Sequence, residues 1–217
     1  MKTIMTRFLL TMFATLAFAN TGFAAAAAQE APDQLVKRIS LEIIDLAKAD
    51  KEIQAGNQKR VYDLVDSKIL PYIDFQRMTS LAAGKSWRDA TPEQQKQLIN
   101  EFRTLLVFTY SGAIAQIKDQ RVEFKPLRGV TPEDTEVEVR SQIIQTRGEP
   151  IQLNYRLEKL PAGWKIYDIN VLGAWLVETY KGSFSAEISK SGIDGLIKTL
   201  TEKNKKLASA PIKAASK

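Results

Sequence analysis

Apolar positions along this chain change period twice, first near Lys118 and again after Gly173. Before Lys118 they recur at helical spacing. Pro32 to Ile53 places Leu35, Val36, Ile39, Ile43, Leu46 and Ala47 on one face and charge on the rest, which predicts an amphipathic helix. Gly56-Asn57 ends it, and a second helix is expected over Gln58–Ser67. Asp74–Ala83 reads as a short helix closed by Gly84. Thr91-Pro92-Glu93-Gln94 supplies an N-cap, a proline in the first turn and a capping-box glutamine, so a helix should run from there to about Ile117.

After Lys118 the period becomes two. Arg121–Pro126 is a short strand. Val137 and Val139 alternate with Glu136, Glu138 and Arg140. Ile151, Leu153, Tyr155 and Leu157 alternate with Gln152, Asn154, Arg156 and Glu158. Turn residues separate these runs, so a meander of about four antiparallel strands is expected. The last strand, Trp164–Leu172, is apolar on both faces. Simple alternation puts Trp164, Ile166 and Asp168 on one side and Tyr167, Ile169 and Val171 on the other. Gly173 turns the chain into a helix from Ala174 with Trp175, Tyr180 and Phe184. Ser191-Gly192 interrupts it, and Ile193–Leu207 forms a last helix. Helices, then strands, then helices is an α+β order. A curled antiparallel sheet wrapped by helices makes a cone, a shape suited to an internal apolar cavity.

The first residues change the picture of where the protein works. Lys2 and Arg7 precede the apolar run Phe8–Ala19, and small residues follow to Ala28. This is the pattern of a secretory signal peptide, 1–26, with cleavage between 24 and 28. The apolar run is shorter than the ~20 residues of a membrane-spanning helix. About 190 residues remain, enough for a single domain over 29–207, with a disordered small-residue and lysine tail at 208–217.

Charge and chemistry narrow the function. The 31 basic and 25 acidic residues become 29 and 25 once Lys2 and Arg7 are removed. That balance is mild, and no basic stripe interleaved with aromatics points to nucleic acid. The chain has no Cys and no His. It therefore lacks disulfides, the usual zinc ligands and the Ser-His or Cys-His catalytic pairs. No nucleotide loop, calcium loop or nucleophile elbow is present, so no metal, cofactor or catalytic residue is expected. Asp168 is the one carboxylate set among apolar residues. It could act as an acid or base if burial raised its pKa, or it could simply cap a helix. Pattern alone does not separate a filled core from a lined cavity.

The run Trp164-Lys165-Ile166-Tyr167-Asp168-Ile169, then Gly173, Tyr180, Phe184 and Gly192-Ile193-Asp194-Gly195-Leu196-Ile197, resembles the signature of the MlaC, or toluene-tolerance, family. Asp74-Phe75, Gly84, Trp87-Arg88-Asp89-Ala90-Thr91, Phe102, Leu105-Leu106 and Thr109-Tyr110 extend the resemblance over essentially the whole mature chain. Two departures stand out. Leu172-Gly173-Ala174-Trp175 replaces a frequent Glu-Gly-Val-Ser, and Lys181 replaces a common Arg. No role of that Glu or Ser carries over.

The resemblance implies a nuclear-transport-factor-2-like cone with added helices. It also implies a monomeric periplasmic carrier of diacyl phospholipid. Its partners would be an outer-membrane lipoprotein–porin complex and an inner-membrane ABC transporter assembly with its substrate-binding subunit, and its role the maintenance of outer-membrane lipid asymmetry. The expected lipid-contacting wall is Met78, Leu81, Phe102, Leu105, Leu106, Tyr110, Val137, Val139, Leu153, Tyr155, Ile166, Ile169, Val171, Trp175 and Leu176. The rival readings are a cone-fold isomerase or hydrolase using Asp168 or Tyr155, and an adaptor protein with a solid core.

Overall fold

The computed structural model describes residues 30–127, 129–131, 133–146 and 148–209. The expected signal peptide and all but the first two residues of the expected tail lie outside them. Helix α1, Pro32–Ala49, is shorter than its apolar pattern because Asp50 leaves helical geometry. The Asp50 carboxylate accepts the Glu52 and Ile53 N–H groups and so caps a new short helix, α2, Lys51–Gln54. Asn57 caps α3, Gln58–Lys68, and Asp74 caps α4, Phe75–Ala83. The capping box forms as expected at α5, Pro92–Tyr110: Thr91 Oγ1 accepts Gln94 N–H, and Gln94 Oε1 accepts Thr91 N–H. Beyond Tyr110 the chain tightens into a 3-10 turn, Ser111–Gln116, so the α-helix stops short of Ile117.

Five strands follow in an antiparallel meander ordered β1-β2-β3-β4-β5, curled but not closed. They are β1 Arg121–Phe124, β2 Glu136–Ile144, β3 Ile151–Leu160, β4 Gly163–Val171 and β5 Ala174–Trp175. The fifth strand was not expected. Leu172-Gly173 forms a two-residue hairpin instead of a helix start, and Trp175 returns beside Asn170. Helix α6, Leu176–Ala208, begins only after it and breaks at Gly192, where φ is +71°. That is a left-handed conformation that glycine adopts without a Cβ penalty.

Strand β4 also corrects the expected faces. Arg156 pairs with Asp168, but Leu157 pairs with Ile166, so Tyr167 is an extra residue in a bulge. A bulge resets the two-residue alternation. Ile166 and Ile169 therefore share the inner face, and Asp168 lies with Arg156 on the outer one.

Two apolar cores result. In the first, Leu35, Val36, Ile39, Ile43 and Ala47 of α1 and Val61, Leu64 and Val65 of α3 cover Val137, Val139, Tyr155, Leu157, Trp164 and Ile166 of the sheet. The second holds Met78 and Ala82 of α4, Leu98, Phe102, Leu105 and Leu106 of α5, and Leu176, Val177, Phe184, Leu196 and Leu200 of α6. Ile73 and Ile169 pack against both. Phe102 is the pivot of the second core. It is fully buried, with Tyr180 and Phe184 edge-on at 5.0 Å each. Phe102→Ala should lower the unfolding free energy by about 3–5 kcal/mol in denaturant titration.

Candidate functional site

The inner sheet face grades from closed to open along the strands. Val137, Leu157 and Ile166 form one cross-strand row, and all are buried. Val139, Tyr155 and Ile169 form the next, in which Ile169 is only half-buried. Ser141, Leu153 and Val171 follow; Ser141 is buried, but Leu153 and Val171 are half-buried. Ile143 opposite Ile151 ends the series, both half-buried. Val107, Tyr110 and Ile114, at the end of α5 and in the turn after it, are half-buried apolar side chains that pack at the margins of the two cores. With Ile73 they outline an apolar seam between the sheet-side core and the helical core.

The expected wall divides over these regions. Val137, Val139, Tyr155 and Ile166 belong to the sheet-side core, and Met78, Phe102, Leu105, Leu106 and Leu176 to the helical one. Tyr110, Leu153, Ile169 and Val171 lie on the seam. Leu81 stands apart as an exposed residue of α4. Trp175 also stands apart, pairing with Asn170 and carrying the Arg156 guanidinium 3.8 Å above its ring, on the outer face. Ile73, Val107 and Ile114 were absent from the expected wall. Val107 lies in the last turns of α5 and Ile114 in the 3-10 turn after it. Ile73 sits in a segment too short to show a period, and its place follows from its bridge to Ile166.

Tyr155 and Tyr180 bring hydroxyls into this apolar surface, and both are bonded. Tyr155 is pushed up to about 12 by burial, and its hydroxyl bonds with Ser40 and Ser141. Tyr180 is likewise pushed up to about 12 by burial and bonds with Tyr110. Both phenols stay neutral and act as hydrogen-bonding groups.

Two recesses lie elsewhere. One, of about 430 Å³, is bordered by Leu46, Asp50, Ile53, Arg60 and Leu64 between α1 and α3. The other, of about 410 Å³, lies between Asp119-Gln120 and Gln145-Thr146. No residue of the expected wall borders either one.

The outer face carries the polar ties. Arg77 of α4 reaches Glu158 and Glu136 at 2.5 Å each, and its guanidinium lies 3.8 Å over the Tyr167 ring. That bond to Arg77 holds the Glu136 carboxyl below its usual range. Asp168 is 1% exposed, and its Oδ1 accepts both Ile169 N–H at 2.9 Å and Val177 N–H at 3.1 Å. Val177 is in the first turn of α6, so Asp168 caps that helix from a neighbouring strand. Arg156 faces its second oxygen at 3.4 Å. Among the described residues, no group of three or more acidic side chains is placed to hold a metal ion, and no helix is long and apolar enough to cross a membrane.

An unclosed, curled α+β meander with helices against its inner face and an apolar seam between two cores defines the class. The family model described as MlaC protein matches residues 37–202, and the chain belongs to the MlaC family. It is 24% identical over 168 residues to the toluene tolerance protein ttg2D of Pseudomonas putida, covering 77% of each chain. It is 24% identical over 206 residues to the intermembrane phospholipid transport system binding protein MlaC of Haemophilus influenzae, covering 92% of this chain and 94% of the relative. A phospholipid-binding protein from Ralstonia solanacearum, solved in complex with a phospholipid, is 46% identical and superposes with a TM-score of 0.76. That match covers 81% of this chain and 97% of the other.

The Asp168 cap has a pH signature. Burial raises the carboxyl pKa above its ordinary 3.8, against the opposing pull of two N–H groups and Arg156. The folded state then holds this proton more tightly than the unfolded chain. That contribution to stability is complete below pH 3.8 and is lost as pH rises through the raised pKa. Asp168→Asn keeps an oxygen for both N–H groups and removes the titration. Denaturant unfolding across the acid range should show wild type losing stability relative to Asp168→Asn as pH rises; a constant difference contradicts this account.

Proposed function

We propose that this protein is a periplasmic phospholipid carrier that shelters acyl chains along the seam and leaves the headgroup at its open end. The grading of the inner face from buried to half-buried apolar residues carries this reading, because it sets apolar surface within reach of a ligand and still keeps two intact cores. The Ralstonia solanacearum relative, solved with a phospholipid, supports it.

The physical demand is simple. A diacyl lipid has about 30 methylenes, each costing ~0.8 kcal/mol in water, so unaided transit costs roughly 20–25 kcal/mol. A carrier lowers that cost by matching the apolar shelter of a membrane, and no bond needs to break. Asp168 and Tyr155, the residues an enzyme reading would use, serve as a helix cap and a hydrogen-bonded core hydroxyl. In this reading the protein works as a monomer. It exchanges lipid with an outer-membrane lipoprotein–porin complex and an inner-membrane ABC transporter assembly, and so maintains outer-membrane lipid asymmetry. Direction then comes from those partners, since a carrier with one site favours neither side.

Native mass spectrometry of protein purified without detergent should show one bound phospholipid. Leu153→Glu places a carboxylate on the seam at a half-buried position, so the fold should survive and the bound lipid should be lost. A folded Leu153→Glu protein with its full lipid load refutes the placement on the seam, and bare wild-type protein refutes the carrier.

A further inference from the structure

The inner sheet face runs on past its last apolar row into a polar recess. Val122 of β1 pairs with Ile143 of β2, and Ile143 with Ile151 of β3, so these three side chains close the apolar series. Side chains two residues apart on a strand share a face. The next inner positions are therefore Gln120 beyond Val122 and Gln145 beyond Ile143, and the β1–β2 register carried one residue further sets them opposite each other. Both are half-buried, and with the exposed Asp119 and Thr146 they border the recess of about 410 Å³. Gln120 Oε1 accepts Lys118 N–H at 2.6 Å, and Gln120 Nε2 donates to Gln116 O at 3.3 Å. Gln145 Nε2 donates to Glu149 O at 3.0 Å. Each carboxamide nitrogen carries two hydrogens, and these bonds use one of them. The Thr146 hydroxyl donates to Asp119 Oδ2 and so holds the carboxylate at the rim. Among the described residues, Asp119 is the only charged side chain that borders the recess.

We propose that this recess is a headgroup site and that it favours a zwitterionic phospholipid whose headgroup carries an amine. The inference rests on the carrier reading and adds which headgroup the open end of the seam selects. A lipid with its chains along the seam brings its phosphodiester just beyond Ile143 and Ile151, where the second N–H of Gln120 and of Gln145 meets the phosphate oxygens. The ammonium of an ethanolamine headgroup then lies against the Asp119 carboxylate. A glycerol headgroup has the same phosphate charge but no cation, so Asp119 faces an uncompensated anion. The two amides bond any phosphodiester, and the carboxylate discriminates among headgroups. The recess is open to water, so the discrimination is modest, and the chains still supply most of the binding.

Asp119→Asn separates this role from a structural one, because asparagine keeps an oxygen for the Thr146 hydroxyl. Wild type and Asp119→Asn, purified in parallel without detergent from the same host, should unfold at the same temperature and carry the same total phospholipid. In their organic extracts the ratio of phosphatidylethanolamine to phosphatidylglycerol should be about threefold lower for Asp119→Asn, the scale of an exposed ion pair. Asp119→Lys should lower it further. An equal or higher ratio in folded, lipid-loaded Asp119→Asn overturns the headgroup assignment and leaves the carrier standing. A smaller total load at an unchanged ratio makes Asp119 a structural tie and also overturns it. Wild-type protein without phospholipid overturns the carrier reading itself.

Discussion

Strand β4 carries one residue more than β3 can pair, and both cores depend on that mismatch. With strict alternation, Ile166 and Ile169 could not face the same way. The bulge at Tyr167 lets Ile166 seal the sheet-side core while Ile169 reaches the border with the helical one. It also turns Asp168 outward, where its carboxylate meets the first turn of α6. One inserted residue thus sets the inner lining and the attachment of the last helix together. The twist that accompanies a bulge also suits a sheet that must curl around helices without closing.

The two cores are joined more by polar ties than by shared packing. Arg77 ties α4 to Glu136 and Glu158, Asp168 ties α6 to β4, and Asp74 N–H donates to Ile166 O at 2.8 Å. Directional bonds of this kind fix the position of the α4 and α6 ends against the sheet without apolar contact. A continuous core would have consumed Leu153, Ile169 and Val171 in packing. Their partial exposure leaves them free for the lining role proposed above.

Much of this arrangement could be read from the residues. The alternation Glu136–Arg140 and Ile151–Glu158 is clear because one face is dry and the other wet. The Thr91–Gln94 capping box is local, and it formed where it was expected. Features decided by distant contacts were less legible. Nothing in the letters of β4 marks Tyr167 as extra, since the bulge is defined by its register with β3. Ala174 and Trp175 suit a helix as well as a strand, and Leu172 hides a turn that Asn would have announced. Depth within the expected wall was not legible. Phe102 and Leu153 look alike in a pattern, yet one is sealed between three helices and the other sits at an open row of the sheet.

The split between cores and seam has a consequence for how such a protein can change over time. Mutations of fully buried residues such as Leu157 or Leu105 are costly wherever they fall. Ile73, Val107, Ile114, Leu153 and Val171 are only half-buried, so exchanging one apolar side chain for another there disturbs little of what keeps the chain folded. The seam proposed to meet the ligand is therefore the part of the interior most open to variation. A lineage could retune chain length or bulk along the seam by single substitutions while both cores stay intact.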